Sequence, residues 1–321
     1  MTLFDSPAFE AHEAVHAFDD EKTGLRTIIA IHSTARGPAV GGVRMWPYGA
    51  SQAALDDVLR LSRAMSYKNA VADLDLGGGK AVIIADSRTD KSPALFEAFG
   101  RAVETLGGRY WAAEDVGVTP ADLAAARRKT RWIAGLEGGP AASGDPSPVT
   151  AEGVFRGMKL AAEQAFGSAD LSGLTVAIQG AGHVGGCLAD KLHAAGARLV
   201  IADVEPAVAA AVAERTGARL VPADAVFDVE ADIFSPCALG GSINEETLKR
   251  LSARAIVGAA NNQLASHCVG RQVFERGIVY APDYVVNGGG IINVAGEIRA
   301  LSNGTAFDPT WVMGWTPPDG I

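Results

Sequence analysis

The run LTVAIQGAGHVGG leaves few folds open to a chain that carries it. Leu174 to Gln179 reads as a short buried strand, and it feeds Gly180, Ala181, Gly182, His183, Val184, Gly185 and Gly186, which open a helix. In a glycine-x-glycine-x-x-glycine turn the first glycine permits a tight bend. The second lets a pyrophosphate approach backbone N–H groups, and the third lets helix and strand pack closely. The next strand, RLVIAD, ends at Asp203, about 20 residues further on. A carboxylate there can accept from both ribose hydroxyls of an adenosine and would repel a 2′-phosphate, which favours NAD over NADP. The alternative is a glycine-rich turn that binds nothing, and His183 taken alone is an ordinary first-turn residue. With strand, glycines, helix and acid in register, the dinucleotide reading is the stronger.

Around this unit the strand-like runs ADIFSP, AIVGAA and GIVYAP alternate with helical stretches, which implies a parallel sheet covered on both faces. The turn-forming stretch Ser143 to Pro148 separates this half from the first. There LRTIIAI (Leu25 to Ile31) and Val40 to Met45 read as strands. A helix from about Ser51 carries Ala54, Leu55, Val58, Leu61 and Met65 at helical spacing. A second helix is capped by Ser92 with Pro93 at its first position, RYWAA reads as a strand, and Thr119 caps a third helix. The expectation is therefore an α/β protein of two domains. Residues 1–147 form an α/β substrate domain, residues 148–321 a doubly wound Rossmann-type dinucleotide domain, and the site lies in a cleft between them.

A net charge of −9 with no Lys/Arg cluster argues against nucleic acid and anionic membranes as partners. No segment approaches a membrane span, and the acidic N-terminus does not read as a secretory signal. Cys187, Cys237 and Cys268 form neither a disulfide framework nor a zinc motif, consistent with a reducing cytoplasm. His12 and His16, four apart, could share a helix face, but no third ligand is visible, and no metal is expected.

LDLGGGKAVIIA poses a separate question, because three glycines precede Lys80 and a strand read from Ala81 to Ala85. Either the glycines cradle a phosphate, or they clear space for a small substrate to reach the ammonium. The segment lacks the hydroxyl residue that follows a P-loop lysine, which disfavours the first. Lys68 falls on the apolar stripe of the helix from Ser51, so it either snorkels to the surface or meets an anion. RYWAA leads into Glu114 and Asp115 at a strand end, where catalytic groups of α/β folds sit. Two lysines, an acid and cleared space suit a small zwitterion, with one lysine holding a carboxylate and the other tuned for proton transfer. Taken singly, each of these residues has an ordinary structural reading as well.

The combination GGGK, AEDVG and PDYVVNGGG, with SYKNA, SPCALGG and GAANNQLA in order between about Leu25 and Glu297, resembles the glutamate/leucine/phenylalanine/valine dehydrogenases, in the branch acting on apolar amino acids. The resemblance implies reversible oxidative deamination of an L-amino acid to the 2-oxo acid and ammonium, with NAD as cofactor and a homo-oligomeric, cytoplasmic enzyme. It implies that Lys80 assists water attack and that Asp115 shuttles a proton to the amino group. Lys68 would hold the substrate carboxylate with backbone around Gly41 and Gly42, and Met65 would line the site beside it. Asn262 would position substrate and nicotinamide. Thr150, Gly180 to Gly186, Asp203, Ala238, Leu239 and Asn261 would line the cofactor site.

Relatives acting on glutamate place a lysine where this chain has Val40. Val40, Ala113, Ile291 and Val294 would instead form an apolar wall that leaves a side-chain carboxylate unpaired. GGIINV looks more like the leucine and valine enzymes than the phenylalanine ones. One departure stands out: after INVAGE the tail has adjacent prolines and no amphipathic period, so the family's C-terminal return helices are expected to be missing. An NAD-binding sensor or scaffold without activity is the competing reading.

Overall fold

A computed structural model describes residues 3–314, and it divides into two compact units. In the first, strands β1 (Ala14–Asp20), β2 (Leu25–Ser33) and β3 (Ala39–Trp46) precede helix α1 (Ser51–Val71). Strand β4 (Gly77–Ile84), helix α2 (Pro93–Glu104), strand β5 (Tyr110–Glu114) and helix α3 (Pro120–Arg127) complete it. The sheet order is β1-β2-β4-β3-β5, with β3 parallel to both β4 and β5 and the β1–β2 and β2–β4 pairs antiparallel. Ser92 caps α2 by accepting from the Leu95 N–H, and Thr119 forms a capping box with Asp122 on α3, as the sequence predicts.

Strand alternation sorts this sheet into two faces. Ile29, Ile31, Ala39, Val43, Ala81, Ile83 and Tyr110 pack with α2 and α3. Ala30 and Val82 pack under Ala54, Val58 and Leu59 of α1. Lys80 shares its parity with Val82, and so faces α1.

The three glycines before Lys80 are not a loop, because β4 begins at Gly77. All three are buried. A Cβ on Gly78 would stand 2.2 Å from the Ser66 backbone nitrogen of α1, and one on Gly79 would stand 2.8 Å from the Tyr110 ring. Their smallness lets α1 lie directly on the strand on one face while Tyr110 lies on the other.

The second unit holds helix α4 (Ser147–Phe166), strand β6 (Thr175–Gln179), helix α5 (His183–Ala194), strand β7 (Arg198–Ala202) and helix α6 (Pro206–Thr216). Strands β8 (Arg219–Leu220) and β9 (Ile233–Pro236), helix α7 (Glu245–Arg250) and strand β10 (Ala255–Ile256) follow. Helix α8 (His267–Glu275), strand β11 (Val279–Tyr280) and helix α9 (Asp283–Val286) close the unit. The strand order β11-β10-β9-β6-β7-β8, with every pairing parallel, is the doubly wound dinucleotide-binding order, and its switch point lies between β6 and β9. β8, with two exposed residues, is too short to pattern and escapes the sequence reading.

Two expectations are corrected. The units meet at Asp145/Pro146 rather than after residue 147, and the described chain from Ile291 onward belongs to the first unit rather than the second. Helix α10 (Gly289–Asn303) places Ile291, Val294, Ala295 and Ile298 in an apolar cluster with Val40, Trp111 and Ala113. The tail also forms a helix, α11 (Pro309–Gly314), which packs Val312 and Trp311 over Gly296 of α10. Gly296 gives α11 room that no larger residue would leave. The adjacent prolines Pro317 and Pro318 lie outside the described residues. Among the described residues, no helix is long and apolar enough to cross a membrane.

Candidate active site

Four elements of the first unit bring polar groups to one sheet face. Lys80 of β4 and Asp115, just beyond β5, form an ion pair at contact distance. Both are largely buried, with side chains 8% and 14% exposed. Gly42 of β3 makes this possible, because a Cβ there would lie 2.7 Å from the Asp115 Cβ. Gly41 likewise admits Met65 of α1, whose Cγ lies 3.1 Å from where a Cβ would stand. Lys68 sits in the last turn of α1, half-buried, three residues beyond Met65.

Sequence reasoning missed the second cation at this carboxylate. Arg44 of β3 lies 3.5 Å from Asp115 and 3.0 Å from Asp57 of α1, and Asp57 accepts a 2.6 Å hydrogen bond from the Tyr48 hydroxyl. Burial favours the neutral acid at Asp115, but the charges of Lys80 and Arg44 outweigh it and hold the carboxyl down at about 2. Burial likewise opposes the Arg44 charge, yet Asp115 and Asp57 raise its pKa above the ordinary value. The Tyr48 phenol is pushed up by burial and by its bond to Asp57. Arg44 shares the parity of Val40 and Gly42 on β3, and that alternation is the signal that could have found it.

Tyr110 was read only as strand. It is fully buried, its hydroxyl donates to the Gly41 carbonyl at 2.7 Å, and burial together with the Asp115 charge raises its pKa. It fixes the backbone of the paired glycines from the opposite face of the sheet. Beside the polar group, Val40, Ala113, Ile291 and Val294 fall in one apolar cluster, with Met65 packed against it. The structure thus brings together the four residues that the sequence reading grouped.

In the second unit the expected dinucleotide residues are linked contact by contact. Gly180 has φ +97°, and a Cβ there would stand 2.8 Å from the Ala238 nitrogen just beyond β9. Gly182 has open space where a Cβ would be, and a Cβ on Gly185 would strike the Gly180 carbonyl at 2.0 Å. These are the three glycine duties inferred above. Helix α5 begins at His183, an exposed first-turn residue, and Gly182 supplies no side-chain cap to its N–H groups. Val184 is half-buried behind it, Gly186 is buried, and Leu239 is exposed.

Asp203 follows β7, where its carboxylate accepts from the Ala181 N–H at 2.7 Å and the Glu205 N–H at 2.9 Å. Each carboxylate oxygen keeps a further lone pair for a ribose hydroxyl. Gly240 abuts the Asn261 and Asn262 carbonyls, Asn261 accepts from Asn287 at 2.8 Å, and Gly290 abuts Thr150. Asn262 holds φ +52°, and its N–H donates to Asp283 at 2.6 Å. Asp283 and Asn287 were also missed, since both act through backbone or amide contacts that no spacing announces. The residues present fit a dinucleotide: bare backbone N–H groups at a helix start, a glycine with empty space above it, and an acid at the next strand end.

Asn262 belongs to the second unit, whereas Lys68, Lys80 and Asp115 belong to the first. The two-histidine helix face does not form. His16 lies in strand β1, and His12 Nε2 engages the Leu59 carbonyl and the Ser62 hydroxyl.

Comparison with known proteins places the chain in a family. Residues 9–133 match the family profile described as Glu/Leu/Phe/Val dehydrogenase, dimerisation domain, and residues 202–313 match Glutamate/Leucine/Phenylalanine/Valine dehydrogenase. A leucine dehydrogenase of Thermoactinomyces intermedius is 49% identical over 307 residues, covering 96% of this chain and 84% of that protein. The chain belongs to the glutamate/leucine/phenylalanine/valine dehydrogenase family. A second relative in this family, a phenylalanine dehydrogenase of Bacillus thermotolerans, is 48% identical over 94% of this chain and 80% of its own length. The crystal structure of an L-tryptophan dehydrogenase from Nostoc punctiforme superposes with a TM-score of 0.80. It shares 40% identity and covers 95% of this chain and 86% of that one. Dehydrogenases of this family are oxidoreductases that need a nicotinamide cofactor, which the doubly wound unit is built to hold.

Proposed function

We propose that this chain is an NAD-dependent L-amino-acid dehydrogenase acting on apolar amino acids. The observation that carries the reading is the buried Lys80–Asp115 pair beside Gly42, on the sheet face that also carries Val40 and Ala113 of the apolar wall. The overall reaction converts an L-amino acid, NAD⁺ and water to the 2-oxo acid, ammonium, NADH and a proton. The nicotinamide supplies the hydride acceptor.

The chain's residues supply the rest. Lys68 takes the substrate carboxylate, with Gly41 and Gly42 leaving room for it. Asp115, held ionised by Lys80 and Arg44, exchanges a proton with the substrate nitrogen. Lys80 manages the proton of the water that adds to the carbon of the imino acid left by hydride loss, before ammonia is expelled from the adduct. Asn262, fixed in its left-handed conformation by Asp283, positions the substrate toward the nicotinamide, and Asn261 and Thr150 steady the cofactor. Asp203 takes the ribose hydroxyls and selects NAD.

A substrate with a second carboxylate would press it against apolar side chains without a partner, a penalty above the roughly 2–7 kcal/mol of an unpaired neutral polar group. The relatives named for leucine and phenylalanine support the apolar class. Homo-oligomerisation is supported by the match of residues 9–133 to a dimerisation domain. Three free cysteines suit a cytoplasmic location.

The test is NADH formation from leucine, valine, isoleucine, phenylalanine and glutamate, with NAD⁺ and with NADP⁺. Turnover of at least one apolar substrate with NAD⁺, and glutamate at least a hundredfold poorer in kcat/KM, is expected. Glutamate as the best substrate, or NAD⁺ binding without turnover of any, overturns the proposal.

A further inference from the structure

Helix α10 carries one carboxylate that the reaction does not use. Glu297 is fully buried, 0% exposed, and its acceptors are saturated by a single segment of chain. Oε2 accepts from the Gly135 N–H at 3.0 Å, the Ser143 N–H at 3.2 Å and the Ser143 hydroxyl at 2.6 Å. Oε1 accepts from the Leu136 N–H at 3.2 Å. That segment follows residues that lie alongside β5, since Ile133 bridges Ala112 and the Ala134 N–H donates to the Ala112 carbonyl at 2.9 Å. Glu297 therefore ties α10 to the strand that carries Ala113. Ile291 and Val294, the α10 members of the apolar wall, lie two turns and one turn before it on the same helix.

Four donors converging on one side chain demand a group that only accepts. An ionised carboxylate does so, whereas an amide must turn an NH₂ toward donors at one of its two ends. A buried donor left without an acceptor is destabilising enough to make α10 shift or loosen. One methylene in an apolar pocket changes kcat/KM by only about 10–200-fold, so a small movement of the wall is felt in substrate choice.

We propose that Glu297 is a specificity-determining positioning residue: by clamping residues 135–143 it fixes the depth at which Ile291 and Val294 meet the substrate side chain. This rests on the reading of the chain as an apolar amino-acid dehydrogenase. It is tested with the full chain by measuring kcat/KM for leucine, valine and phenylalanine in wild type, Glu297→Gln and Ser143→Ala, together with NAD⁺ affinity and Tm. In Glu297→Gln the ratio between the best and worst of the three substrates falls at least threefold toward one, while NAD⁺ affinity stays within twofold. Ser143→Ala, which removes only the hydroxyl donor, moves the ratio the same way by less, and it carries the test where Glu297→Gln does not fold. Folded variants whose three kcat/KM values fall by one common factor, with only Tm lowered, overturn the proposal. A wild-type protein inactive on all three substrates overturns the functional reading and this inference with it.

Discussion

Gly78→Ala tests why the chain spends three glycines before its lysine. The added Cβ would lie 2.2 Å from both the nitrogen and the hydroxyl oxygen of Ser66, and 2.6 Å from its Cα. Ordinary non-bonded contact is about 3.5 Å, so α1 must retreat by about 1 Å. The contact is mostly with backbone, which no rotamer change relieves. Overpacking of this kind costs about 1–3 kcal/mol. For a chain of 321 residues that lowers Tm by roughly 1–5 °C.

The larger consequence is functional. Met65 and Lys68 ride on α1 and Lys80 on β4, so the same retreat separates the proposed carboxylate-holding lysine from the proposed proton-transfer lysine. A misplacement of about 1 Å costs on the order of a hundredfold in kcat/KM. The assay is steady-state NADH formation from the best apolar substrate, beside a thermal melt. Gly49→Ala is the control, because a Cβ there meets nothing within 4 Å. Gly78→Ala with wild-type kcat/KM and an unshifted Tm refutes the reasoning.

Arg44→Gln should lower kcat about tenfold or more, because Asp115 loses one of its two cations and Asp57 its partner, with Arg44→Lys recovering part of the loss; kcat and KM read separately, with equal losses in both variants counting against a charge effect. Asp115 has its carboxyl held at about 2 in the fold against an ordinary 3.8. Its ionisation therefore contributes about 2 kcal/mol of stability, fully present above the ordinary value and lost as pH falls through the folded one. Urea midpoints between about pH 5 and pH 2 should fall less steeply for Asp115→Asn than for wild type, and parallel curves would contradict this. Asp203→Ala should weaken NAD⁺ binding about tenfold, since it removes charged acceptors for the ribose and frees the Ala181 N–H; an unchanged Kd by fluorescence titration would place the ribose elsewhere.

Much of this site was legible before any coordinates. The fingerprint was legible because a pyrophosphate turn constrains backbone, and only glycine meets its demands at Gly180 and Gly185. Lys80 and Asp115 stood out only in combination, as a long cation after glycines and an acid at a strand end, each having an ordinary reading by itself; the structure pairs them. The grouping of Val40 with Ala113, Ile291 and Val294 was legible by contrast with the lysine that relatives acting on glutamate place at Val40. Arg44 was not, because strand alternation puts it on the face of Val40 and Gly42 but names no partner, and its meaning depends on β3 lying beside both β5 and α1.

Glu297 was hidden for a related reason. Its partners, Gly135, Leu136 and Ser143, are more than 150 residues away in sequence. Three of its four donors are chemically interchangeable backbone groups. The start of β4 was misplaced because glycine has low strand propensity. Here contact with α1 and Tyr110 overrides propensity. The role of the tail was misjudged because a six-residue helix cannot show a period, yet α11 docks through Trp311 and Val312 onto the face that Gly296 opens.

The account stands on the chemistry assigned to Lys80. Lys80→Ala, purified beside wild type, should form NADH from its best apolar amino acid with kcat lowered by about 10²–10⁴, while NAD⁺ binds with unchanged affinity. A folded Lys80→Ala protein that turns over within a few-fold of wild type would contradict it.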